Sequence, residues 1–129
     1  MVAVDTNVVV RLLTLDDEEQ AQRAKRLFAS NRIFLPKTVL LEVEWVLRRL
    51  YGFERERVTA ALRNLIALES LQSEDPHAAR LALDWADQGL DFADALHLAS
   101  SLAVRRFATF DARLVNRAKP LRGIEVEEP

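Results

Sequence analysis

Short apolar runs in this chain are followed by longer stretches in which apolar positions recur every three or four residues. That alternation predicts strands feeding helices. Met1-Val2-Ala3-Val4-Asp5 reads as a first strand, followed by a helix from Thr6 to about Leu15 with Asp5 or Thr6 as its N-cap. A second helix is predicted over Asp16 to Ser30: its acids lie in the first turn, where they complement the dipole, and Ala21, Ala24, Leu27 and Phe28 recur at helical spacing. Ile33-Phe34-Leu35 is a short buried strand that Pro36 ends, and Gly52 stops the helix predicted from Lys37 to Leu50. Helices are expected over Glu54 to Ala67, Asp75 to Gln88 and Asp91 to about Val104, with a short edge strand at Leu71-Gln72-Ser73. A strand at 106–110, a short helix at 111–118 and a last strand near 123–127 complete the chain. This order points to an α/β fold with a mainly parallel sheet covered by helices.

The 129 residues are enough for one domain with a sizeable core, and the half that are hydrophobic argue against disorder. Without cysteine there is neither a disulfide framework nor a thiolate zinc site. The N-terminus reaches Asp5 too soon for a signal peptide, and no apolar run approaches membrane-spanning length, so a cytoplasmic protein is expected. A net charge of −2 and a pI near 5.7 argue against nucleic-acid binding by bulk electrostatics, but not against a nuclease whose acids surround a cation. Arg48-Arg49 and Arg105-Arg106 suit phosphate contacts, although solvated helix faces explain them as well.

Four acids carry the candidate chemistry. Asp5 and Asp111 close predicted strands, at the carboxyl edge where open α/β sheets bind ligands. Glu42 has Thr38, Val39, Trp45 and Val46 as its helical neighbours, so a carboxylate on a nearly apolar face is expected. Burial there would require a raised pKa, a cationic partner or a metal. Glu44 can pair with Arg48 one turn on and is assigned to the surface. Asp94 lies on a helix, and Asp91 with Asp94 can form an acidic variant of the capping box. Taken singly, Asp5, Asp94 and Asp111 are adequately explained as helix caps. Taken together they can converge, and a hard divalent cation such as Mg²⁺ or Mn²⁺ would relieve the repulsion of an all-oxygen cluster.

Other residues rank lower. Thr6, Asn7 and Thr109 adjoin the strand-end acids, where they can orient a carboxylate or hold a water, and Arg113 is placed to meet a phosphate. Local helix-end hydrogen bonds explain those four equally well. His97 reads as packed or hydrogen-bonded more readily than as a ligand, and His77 as exposed. Trp45, Trp85 and Phe92 read as core or interface residues.

Val4-Asp5-Thr6-Asn7, Glu42 after the strand–Pro break, Asp91-Phe92-Ala93-Asp94-Ala95-Leu96-His97-Leu98-Ala99 and Ala108-Thr109-Phe110-Asp111 resemble the successive motifs of PIN-domain ribonucleases, most of all the VapC-like toxins of prokaryotic toxin–antitoxin pairs. The resemblance spans essentially the whole chain. It implies a single domain, a three-layer α/β/α sandwich with strand order 3-2-1-4-5, a homodimer, Mg²⁺-dependent cleavage of RNA and inhibition by a small cognate antitoxin. Asp5, Glu42 and Asp94 would form the metal shell, and Asp111 would act through water or a second metal.

With only His77 and His97 available, metal-activated water is a better nucleophile candidate than the ribose 2′-OH. A haloacid-dehalogenase-type phosphatase would need an acid where Asn7 stands, and a receiver domain would need paired acids at the end of its first strand. A non-toxin PIN-like nuclease, or a protein-interaction module whose acids are only caps and ion pairs, remains as the alternative.

Overall fold

The computed structural model describes residues 1–129, which form two compact units, Met1–Pro76 and His77–Pro129. In the first unit, β1 (Val2–Ala3), β2 (Ile33–Leu35) and β3 (Leu71–Ser73) form a parallel sheet in the order β1-β2-β3. Its register pairs Ala3 with Phe34 and Leu35 with Ser73. Parallel pairing puts all three carboxyl ends on one edge, so the segments after Ala3, Leu35 and Ser73 leave from the same side.

The connecting helices of this unit are α1 (Thr6–Thr14), α2 (Glu18–Ser30), α3 (Lys37–Trp45) and α4 (Arg55–Ile66). α1 packs against α2 and α3, while α4 packs against α3 and β3. Val9, Ile33, Leu35, Leu40, Val43, Leu47, Val58 and Leu62 are fully buried. Each such side chain contributes about 1.5–3 kcal/mol relative to exposure. Helical structure runs to Leu50 as expected, but α3 gives way to a π-helical turn at Val46–Leu50, in which Tyr51 N–H donates to the Val46 carbonyl. Gly52, at φ 71°, then reverses the chain, a conformation costly for any residue with a side chain.

The second unit contains α5 (Pro76–Asp87), α6 (Phe92–Ala99), β4 (Arg106–Ala108), α7 (Ala112–Arg117) and β5 (Glu125–Glu127), with β4 and β5 parallel. Leu83, Ala95 and Leu98 are completely buried. α6 stops at Ala99 rather than near Val104. The Ser101 hydroxyl donates to the His97 carbonyl at 2.8 Å, competing with the helical ladder, and turns carry the chain to Arg105. The fold is thus α/β with parallel pairing throughout. Its ladders β3-β2-β1 and β4-β5 match the two halves of the order 3-2-1-4-5. No helix is long and apolar enough to cross a membrane.

Candidate active site

In the first unit the candidate residues gather at the carboxyl edge of the sheet. Asp5 caps α1, its Oδ1 accepting the Thr6 N–H at 2.7 Å. That bond uses one carboxylate oxygen and fixes the direction of the other. The buried Thr6 side chain donates its hydroxyl to Glu42 Oε1, so one residue is tied to two of the candidate acids. Asn7 is exposed in an open groove of about 520 Å³ between α1 and α2, which Arg11 and Arg23 also line.

α3, which carries Glu42, starts at the same edge. Its N-cap is Pro36, which has no side chain to offer the first turn, and Glu74 from the end of β3 supplies the missing acceptor: Lys37 N–H donates to Glu74 Oε1 at 2.9 Å. Lys37 Nζ lies 3.3 Å from Asp75 Oδ2. Sequence reasoning missed this brace, because a cap arriving from thirty-seven residues away leaves no local signal.

In the second unit, Asp91 caps α6 by accepting the Asp94 N–H at 3.3 Å. Burial pushes the Asp94 carboxyl above its ordinary range; the charges of Asp91 and Asp111 push it further, and His97 opposes them. Asp94 and Asp111 are therefore electrostatic neighbours. Asp111 caps α7: its Oδ1 accepts the N–H groups of Arg113, at 2.9 Å, and Leu114, at 3.3 Å. Thr109 Oγ1 accepts the Asp111 N–H at 3.0 Å, and Thr109 N–H donates to the Glu127 carbonyl at 3.0 Å. The Arg113 side chain is exposed.

Several side chains are placed differently from expectation. Glu42 is exposed, and the buried carboxylate is Glu44, 5% exposed, which does pair with Arg48 Nε at 2.9 Å but not on the surface. The buried stripe of α3 runs through Leu40, Val43 and Glu44 and continues to Leu47 in the π-helical turn, leaving Glu42 beside Trp45 on the outer side. Trp45, 48% exposed, is correspondingly not a core residue, whereas Trp85 and Phe92 are buried. His97 is exposed rather than packed, and His77 is exposed as expected.

Carboxylate oxygens are the donors that a hard divalent cation takes. In the first unit the capping bond leaves a second oxygen on Asp5; in the second it leaves one on Asp111, and the Asp94 carboxyl is raised by burial and then by the charges of Asp91 and Asp111. No three His, Asp or Glu side chains of the protein stand close enough together to hold a metal ion.

A family profile described as the PIN domain matches residues 2–120. A search of curated proteins finds no match. Among solved structures, VapBC2 from Rickettsia felis bound to a DNA fragment from their promoter matches with a TM-score of 0.42 and 17% identity, covering 99% of this chain and 98% of that one.

Proposed function

Since this chain belongs to the PIN-domain family, a family of nucleases, we propose that it is a divalent-metal-dependent endoribonuclease acting as the toxin of a toxin–antitoxin pair. The family profile over residues 2–120 is the observation that carries the reading. Asp94 agrees with it: its carboxyl is raised by burial and by Asp91 and Asp111, a strain that a bound cation would relieve. The two units are taken as one PIN-like domain, since a single family profile runs through both.

Asp5, Glu42, Asp94 and Asp111 are the residues assigned to the cation, with Mg²⁺ the expected ion and Mn²⁺ a substitute. A cation held by these residues would lower the pKa of a water and neutralise charge on the phosphodiester oxygens. The chain's own residues position the reaction. Backbone N–H groups of α1 and α7 orient the carboxylates of Asp5 and Asp111, and the Thr6 hydroxyl holds Glu42. Thr109 fixes the backbone at Asp111. Asn7 and Arg113, both exposed, are assigned to the RNA backbone. The toxin assignment rests on the motif from Asp91 to Leu96, and with it come a homodimer, a cognate antitoxin and a cytoplasmic setting.

A second reading has its own support. Asp5, Asp91 and Asp111 all serve as helix caps, which is what a non-catalytic interaction module would require of them. Capping and metal binding are compatible, because each cap uses one oxygen of two. Calorimetry with Mn²⁺ separates the readings: no binding at millimolar metal favours the module. A nuclease outside any toxin–antitoxin pair would cleave RNA yet leave growth unaffected when expressed alone.

The decisive experiment is cleavage of total RNA with Mg²⁺ or Mn²⁺, with and without EDTA, followed by analysis of the fragment ends. Attack by water leaves a 5′-phosphate and a 3′-hydroxyl. Cyclic-phosphate ends that persist in EDTA would overturn the metal mechanism and put His97 forward.

A further inference from the structure

Phe110 is 85% exposed, more than any other large hydrophobic side chain of the protein. It directly precedes Asp111 and occupies the position before the N-cap of α7, where an apolar side chain commonly packs back onto the fourth helical residue, here Val115. At that exposure no such staple forms. The ring therefore contributes little to folding, while its backbone is held from both sides. Thr109 is bonded to β5, and Asp111 is locked into the cap. A stiff aromatic group on a fixed turn beside a candidate catalytic carboxylate is suited to receiving a flat apolar ligand.

The charge of the segment that carries Phe110 points to the ligand class. From Ser100 to Ile124 the chain carries six cations, Arg105, Arg106, Arg113, Arg117, Lys119 and Arg122, against the single acid Asp111, although the whole chain is net negative. All six are exposed. Arg106 is paired with Glu127, and Arg117 donates to the Gly89 carbonyl, while Arg113 and Lys119 border a shallow hollow on α7 that Glu128 also lines. Exposed cations in the segment that carries Phe110 favour a polyanion with flat apolar groups.

We infer that Phe110 is the platform on which a nucleobase of the RNA substrate stacks, with Arg105 and Arg113 meeting the phosphates of that strand. The inference rests on the nuclease reading and adds to it the residue that grips the base. Stacking on Phe110 sets the adjoining phosphodiester beside Asp111, one residue along the chain. Base–aromatic stacking tolerates any sequence, so Phe110 supplies affinity and register rather than base choice.

The test uses the full chain and fluorescein-labelled single-stranded RNA. Binding is read by anisotropy in EDTA, and cleavage is read separately with Mg²⁺. Phe110→Ala and Phe110→Leu should each raise Kd and KM about 5- to 100-fold, with kcat at saturating RNA little changed. Phe110→Trp should restore binding, and no variant should lower Tm appreciably, since the ring is exposed. Arg113→Gln should reduce the slope of log K against log salt by about 0.7. Wild-type affinity in Phe110→Leu would refute an aromatic platform. If wild type cleaves RNA but Phe110→Ala leaves Kd and KM unchanged, the platform falls and the nuclease reading stands. A wild type that neither binds nor cleaves RNA defeats both. Unchanged RNA affinity together with an altered mass in solution would assign Phe110 to a protein interface instead.

Discussion

The Thr6 hydroxyl donates to the Glu42 carboxylate across thirty-six residues of sequence, joining the first turn of α1 to the second half of α3. Without that bond an exposed glutamate would sample many rotamers, and a metal ligand must occupy one. Thr6→Val keeps the shape of the side chain and removes the donor. It should lower metal-dependent RNA cleavage about 10- to 100-fold. Because water can replace the hydroxyl at exposed Glu42, it should cost only about 1 kcal/mol of stability. Single-turnover cleavage and urea unfolding on the same preparation check both halves. Full activity in Thr6→Val would remove Glu42 from the site or show that it needs no positioning.

Asp94 makes a prediction in pH. Its folded pKa is raised by burial, Asp91 and Asp111, so in the interval between the ordinary carboxylate value and the raised one the folded state holds a proton that the unfolded state has lost. Stability in EDTA should therefore fall as pH rises through that interval, and the deficit should persist at neutral pH. Asp94→Asn should raise Tm at pH 7 in EDTA, and the gain should disappear in acid below the ordinary carboxylate range. It should also abolish metal-dependent cleavage. A lower Tm at every pH would mean that Asp94 is held by favourable contacts instead.

The two glutamates of α3 should respond differently to removal. Glu44 is buried against Arg48, whose side chain is 27% exposed, whereas Glu42 is exposed. Breaking a fully buried pair costs about 3–5 kcal/mol, and partial exposure of Arg48 moves the expectation to about 2 kcal/mol. Glu44→Ala should accordingly unfold at distinctly lower urea than Glu42→Ala, while Glu42→Ala alone should lose cleavage. Equal midpoints would contradict the burial of Glu44.

That pair also shows what the sequence could and could not disclose. Segments with contrast were legible: Ala21, Ala24 and Phe28 repeat against a charged background, and they line the buried face of α2. Ile33-Phe34-Leu35 stands between polar neighbours and forms β2 with those bounds. The stretch from Lys37 to Leu50 is apolar nearly all round, so helical periodicity offers two candidate inner faces and cannot choose between them. Only the packing of Leu40, Val43 and Leu47 decides, and it turns Glu44 inward. Helix caps at Asp5 and Asp111 were legible because capping is local, while the Glu74 brace on Lys37 and the Thr6–Glu42 bond depend on the fold.

Arg105 sets stability against binding. It sits at φ 61°, in the left-handed region, where a side chain costs roughly 1–2 kcal/mol. The conformation is enforced on both sides: Arg105 N–H donates to the Ser101 carbonyl at 3.1 Å, and the Arg105 carbonyl accepts the Glu125 N–H at 2.9 Å. Glycine would relieve the strain, at a cost of about 0.4–1 kcal/mol from the greater freedom of the unfolded chain. Arg105→Gly should therefore leave Tm unchanged or slightly higher. If the exposed guanidinium meets a phosphate, the same variant should weaken RNA binding and reduce its salt dependence by one contact. Arg105→Lys separates charge from backbone, retaining most of the salt dependence while keeping the strain. Thermal unfolding and anisotropy titrations at several salt concentrations measure the two effects independently. A drop in Tm with unchanged RNA affinity would show that the arginine is kept at this position for folding and has no part in holding the strand.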